Sequence, residues 1–231
     1  MPGADFSYAT VHYGKKYDNA FWDGAQMVFG DGDGKLFNRF TISVDIVGHE
    51  LSHGVTEDEA QLAYFNQAGA LNESVSDVFG SLIKQYALKQ TADQADWLIG
   101  AGLLTDQVNG KALRSMAAPG TAYDDPVLGK DPQPDNMKHY LHTTQDNGGV
   151  HINSGIPNHA FYLAATAIGG NAWESAGHIW YETLRDKRLK ANAGFVAFGK
   201  LTVTNARALY GATAKETVAV RDAWHAVGVK V

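Results

Sequence analysis

The sequence predicts an α+β protein with a small β-rich front and a mostly helical body. Two features carry this. Up to about residue 40 the apolar residues alternate in short runs broken by tight-turn signals, and beyond Ser43 they recur at three- and four-residue steps. The front reads as short strands around Thr10-Val11-His12-Tyr13 and Met27-Val28-Phe29, with Asp31-Gly32-Asp33-Gly34 as a turn. That Asp-rich turn lacks the later Glu of an EF-hand loop, so it is read as a turn and not a calcium site. Val44, Val47, Leu51 and Val55 mark one face of a helix through roughly Glu57, and Leu71, Val75, Val78, Leu82 and Tyr86 mark a second from about Ala68 to Leu88. A Gly-, Pro- and Asp-rich stretch from about Thr105 to Gly149 reads as a long loop, of the kind that is usually functional. Pro157 opens a helix that Gly169-Gly170 stops. Further helices are expected near 172–186, 195–209 and 215–227.

Composition narrows the function. Of 231 residues 45% are hydrophobic and 19% charged, which is enough for a folded core. The net charge of −6, with no basic run, argues against nucleic acid or an anionic membrane surface as a partner. No apolar stretch approaches the ~18 residues of a membrane span. With no cysteine, thiol catalysis, Cys-ligated zinc and disulfides are excluded. Met1-Pro2-Gly3-Ala4-Asp5 has neither the charged start nor the apolar run of a secretory leader.

The first helix carries His49-Glu50-Leu51-Ser52-His53. Two histidines four apart lie one turn apart on the same face, so both imidazoles can reach one cation. A catalytic Zn²⁺ takes three protein ligands and keeps a corner for water, which places Glu50 as a candidate general base on that water. Twenty residues after His53 stands Glu73, within Asn72-Glu73-Ser74-Val75-Ser76-Asp77 on the second helix. A carboxylate from a neighbouring antiparallel helix supplies the third ligand of a His₂Glu site. Asp77, one turn on, is placed to accept the second N–H of a ligand histidine, and Asn72 lies beside it.

These stretches resemble the thermolysin-like zinc neutral proteases. Further matches are Val11-His12-Tyr13, Asn19-Ala20-Phe21-Trp22, Met27 to Gly34, Gly69 to Ser74, Leu113-Arg114-Ser115-Met116 and Asp146 to Gly155, in the family's order along the chain. The zincin class with a third histidine six residues after the pair does not fit, because Glu59 stands there. The resemblance implies His49, His53 and Glu73 as zinc ligands, Glu50 as base, and His151 as donor to the tetrahedral intermediate with Asp146 orienting it. It implies Tyr64 as a second donor, Arg114 as a grip on a substrate carbonyl, and Asn19-Ala20-Phe21 as the edge strand along which an extended peptide lies. It also implies a pocket walled by Phe37, Phe40, Ile46 and Leu113, hence cleavage before bulky hydrophobic residues. The expected function is a secreted, monomeric zinc endopeptidase acting on peptides or proteins. A second class is a descendant that keeps the metal and binds peptide without cutting it.

The chain departs from the family in two ways. Asp45 and Asp96 match two carboxylates of the family's calcium pair, but Lys84, Leu98 and Ala101 occupy the other positions. The Lys84 ammonium is therefore expected to replace calcium, which needs 6–8 oxygens. Few residues precede Val11, where the family carries a longer sheet. Residues 1–60 are expected to form a reduced β-rich part with the zinc helix, and 61–231 a helical domain.

Overall fold

A computed structural model describes residues 8–231, so the opening Met1–Asp5, read above for a leader, lies outside the described residues. Three short strands form the front: β1 (Tyr8–Thr10), β2 (Ala20–Trp22) and β3 (Gln26–Phe29). Their order is β1-β3-β2, with β1 parallel and β2 antiparallel to β3. Ala20 stands opposite Phe29 and Trp22 opposite Met27, which leaves β2 as an edge strand among the described residues. Asp33 closes the following turn, its Oδ1 accepting from the backbone N–H groups of Lys35, Leu36 and Phe37.

Two long helices follow, α1 (Val44–Glu59) and α2 (Asn66–Leu88). In α2 Leu71, Val75, Val78 and Leu82 are all buried, as their spacing requires of one helix face. The helix ends at Lys89 in the left-handed conformation, φ 55°, whose N–H closes on the carbonyls of Gln85 and Tyr86. The crossing of α1 and α2 is a backbone contact. A Cβ added to Gly80 would sit 2.3 Å from the carbonyl oxygen of Asp45, and one on Gly48 3.0 Å from the Cα of Gly80. Only glycine permits that approach.

Residues 105–149 are better ordered than their composition suggests. They contain half of a ladder between β4 (Leu98–Ile99) and β5 (Arg114–Ser115), and the hairpin of β6 (Asp124–Asp125) with β7 (Gly129–Lys130). Aspartates replace regular hydrogen bonding here. Asp125 accepts from the N–H groups of Asn109, Val127 and Leu128, and Asp131 from those of Gly120, Ala122 and Gln133. Then come α3 (Asp146–Asn153), α4 (Gly155–Ile168), α5 (Ala176–Leu184), α6 (Phe195–Tyr210) and α7 (Lys215–Ala226). Pro157 falls in the first turn of α4, where its missing N–H costs nothing. The helical core is aromatic: Trp180 and Trp224 stack at 6.2 Å with Phe161 and Phe198 edge-on to them. No helix of the described residues is long and apolar enough to cross a membrane.

A candidate metal centre in the cleft between sheet and helices

α1 and α2 lie along the floor of a cleft of about 700 Å³ whose wall is the edge strand β2. His49 and His53 rise from α1 and Glu73 from α2, and one donor atom from each lies within 4.8 Å of the others. The two Nε2 atoms are 3.1 Å apart, and Glu73 reaches them at 3.4 and 3.5 Å.

The far side of each ring is committed. His49 Nδ1 is 2.8 Å from Asp77 Oδ1, and His53 Nδ1 is 2.8 Å from Asn72 Oδ1. A ring that donates from Nδ1 presents the Nε2 lone pair. Two lone pairs and a carboxylate then converge on one point, while Glu73 Oε2, buried, accepts no hydrogen bond. Such a set is unfavourable by itself and suited to a divalent cation. Two imidazoles and one carboxylate are donors that zinc accepts, so the residues fit the ion the motif implies.

The carboxylates around this point stay ionised against their burial. Burial opposes the charge on Asp77, yet Arg114 and His49 hold its pKa well below the usual range. Arg114 makes a two-pronged contact to it, Nε to Oδ2 at 2.8 Å and Nη2 to Oδ1 at 2.7 Å. Glu73 is likewise kept low, by His151 and His49. Burial pulls His49 down, but Asp77 and Glu73 outweigh it and push it up to about 10, so without metal its Nε2 carries a proton, which a cation must displace to take the lone pair. Glu50 goes the other way. Desolvation dominates and raises it to about 7, a value that a cation on the neighbouring ligands would draw down again.

The rim carries donors. Four successive residues, Asp146 to Gly149, have φ between 50° and 84°, so α3 begins with a coil that turns the chain back on itself. The Asp146 carboxylate thereby accepts from both the backbone N–H of His151 (2.9 Å) and its Nδ1 (2.6 Å). His151 is half exposed to the cleft, and its Nε2 is 3.1 Å from the Tyr64 hydroxyl. Burial lowers the His151 pKa, but Glu73 and Asp146 more than offset this and raise it. The Tyr64 hydroxyl donates to Glu73, and burial beside that carboxylate raises its pKa.

The structure thus brings His49, His53, Glu73, Glu50, Tyr64, His151, Asn72 and Arg114 to one cleft, with Asn19, Ala20 and Phe21 on the strand side. Phe40, Ile46 and Leu113 form an apolar wall at one end. Phe37 is not brought to it. It stands behind Phe40, ring centroids 5.7 Å apart, because its backbone bridges to Leu104 after the Asp33 turn. One residue of the site escaped the sequence reading. Asn158 on α4 is fully buried and donates Nδ2 to Asp77 Oδ2 at 2.8 Å. Its only signal was an amide beside His159 in the mostly apolar run Ile156 to Phe161.

At the other end of α2 stands Lys84, 7% exposed. Its Nζ meets Asp45 at 2.9 Å, Asp96 at 2.8 Å and the carbonyl oxygen of Leu98 at 2.6 Å. Leu98 thus contributes backbone where the family pattern has a side chain. The Ala101 carbonyl accepts from the Ser43 hydroxyl instead, at 3.4 Å.

The chain is similar to known proteins along nearly its whole length. Residues 3–57 match the family model described as thermolysin metallopeptidase, catalytic domain, and residues 60–229 the one described as thermolysin metallopeptidase, alpha-helical domain. An extracellular metalloprotease of Pectobacterium carotovorum subsp. carotovorum is 62% identical over 222 residues, 96% of this chain and 63% of that protein. A thermolysin of Bacillus caldolyticus is 42% identical over 228 residues, 96% of this chain and 39% of that protein. Among solved structures, the precursor of protealysin, a metalloproteinase from Serratia proteamaculans, superposes with a TM-score of 0.93 at 67% identity, covering 96% of this chain and 68% of that one. The chain spans about three fifths of the length of the first curated relatives it matches. On this evidence the chain belongs to the thermolysin metallopeptidase family.

Proposed function

We propose that the protein is a zinc endopeptidase that cuts on the N-terminal side of bulky hydrophobic residues. The observation that carries this is the convergence of two committed imidazoles and a buried carboxylate with Glu50, His151 and Tyr64 around one open cleft. His49, His53 and Glu73 would hold the ion. When bound, zinc supplies Lewis acidity, polarising a carbonyl and lowering the pKa of water.

The chain's own groups do the rest. An extended peptide lies along the edge strand β2 at Asn19, Ala20 and Phe21, with its next side chain against Phe40, Ile46 and Leu113. Phe37 acts as their backing. Arg114, fixed by Asp77, points its remaining N–H groups at the peptide carbonyl beyond the cut. Glu50 takes the proton of the attacking water and passes it to the leaving amine, a role for a carboxylate that stands beside the ligands and lines the cleft. His151, kept charged by Asp146, and Tyr64 donate to the oxygen that becomes negative. One such donor is worth ~3–4 kcal/mol of transition-state stabilisation. Tyr64 must first leave Glu73, a contact that ligation of Glu73 would compete with.

Two finer points belong to the same proposal. Secretion is suggested by the name of an extracellular relative, the protein acts as a monomer, and Lys84 serves as counter-charge where the family pattern places calcium. A quenched peptide with Phe after the cut, incubated with and without chelator, tests the reading: cleavage must vanish on chelation and return with zinc. Zinc-replete protein that leaves such peptides intact refutes it.

A further inference from the structure

The cleft continues past the metal centre along α1 to a place that the proposed reaction does not use. There Trp22, the last residue of β2, lies across Gly54 of α1. A Cβ on Gly54 would stand 3.0 Å from the indole Cζ2, so the ring rests on bare backbone. The indole Nε1 donates to Glu57 Oε2 at 3.0 Å. This bond ties the edge strand to the last turn of α1 and turns the Glu57 carboxylate toward the cleft it lines. Among the described residues Glu57 makes no ion pair. The cleft's cationic side chains are committed elsewhere, Arg114 to Asp77 and His151 to Asp146. The end wall therefore presents a held, uncompensated negative charge.

Its position along a bound peptide follows from α1. Ile46, in the apolar wall, precedes Glu50 by about one turn, and Glu57 follows Glu50 by about two, or roughly 10 Å at 1.5 Å per residue. A peptide that seats the residue after the cut against Ile46 must run its preceding residues toward Glu57. At ~3.3 Å per extended residue, that distance is two to three positions.

We infer that Glu57, held by Trp22, is a specificity residue that favours Lys or Arg two to three residues before the cleaved bond and disfavours Asp or Glu there. The inference rests on the proteolytic reading for its orientation but is read separately from it. Three quenched peptides, alike except for Lys, Ala or Glu at the third position before a cut preceding Phe, are compared on the zinc-replete protein. A second set varies the second position. At low salt kcat/KM is expected to fall from Lys to Glu by about fivefold or more at one of the two positions, and less at 0.5 M salt, as for a solvent-facing charge. Glu57→Gln brings the ratio close to one. Trp22→Phe, which keeps the ring and removes the N–H, lowers it part of the way. The same peptides are ranked by Kd on zinc-replete Glu50→Gln protein, where binding is read without cleavage. Cleavage absent with the Lys-over-Glu order kept in binding refutes proteolysis and supports the role of Glu57. Equal values for all three peptides at both positions, a ratio unmoved by Glu57→Gln, or no binding at all overturns the inference.

Discussion

The helix α2 buries charge in both halves, and the two halves solve the problem differently. Near its C-terminus Lys84 closes Asp45 and Asp96 with a cation that belongs to the chain. In its first half, up to the midpoint, Glu73 and Asp77 share one internal cation, Arg114, and two histidines whose inner nitrogens face each other. In the first cluster the counter-charge is a side chain of the chain itself. The second is short of positive charge at one point, and that point opens on solvent. The difference teaches that in this fold a buried carboxylate group marks a working site only where its counter-charge has been left out.

The contrast can be broken at either end. The largest effect is expected for Glu50→Gln, which should lower kcat by 10²–10⁴-fold with zinc content unchanged, as shown by steady-state kinetics beside metal analysis. Near-normal turnover in that variant would remove Glu50 from its role. Lys84→Met leaves Asp45 buried without a counter-charge and should cost about 3–5 kcal/mol in chemical denaturation. If calcium restores the lost stability, the ammonium does stand where a metal would; if calcium already stabilises the unaltered protein, the closed-cluster reading fails.

Removing zinc should lower the melting temperature reversibly, by about 4 kcal/mol of stability at a thousandfold excess over Kd. Chelation that leaves the melting curve in place would show that the open end needs no cation. The smallest change is expected for Asn158→Leu, close in shape but without the donor. Competition with a chromophoric chelator should show zinc affinity falling by up to tenfold, with KM rising through Arg114. A variant that loses only melting temperature would make Asn158 structural.

The ligand set was legible because it is written in spacing. His49, His53 and Glu73 lie on two helices whose apolar periodicity is clear, and the observed bounds of α1 and α2 fall within two residues of those expected. The helix expected over 172–186 proved shorter, Ala176–Leu184, because the residues before it are spent on turns. Residues 105–149 hid their short ladders for another reason: two-residue strands have no period to read, and side chains of Asp125 and Asp131 hold them. Asn158 reaches Asp77 across 81 residues, and no local pattern announces a contact of that range. Phe37 packs near Phe40 without lining the cleft, and spacing cannot tell a large apolar residue that faces a cleft from one that backs it.

The backbone contact between Gly48 and Gly80 has a consequence for the ion. Where Gly80 meets the backbone of Asp45 no side chain intervenes, and beside Gly48 only the tip of Ile83 can give way, so most of any spreading is passed on to the span between the imidazoles of α1 and the carboxylate of α2. The crossing works as a calliper. A single methyl group, Gly80→Ala, would open its jaws, and the absorption bands of cobalt substituted for zinc would read the displacement before the fold itself gave way.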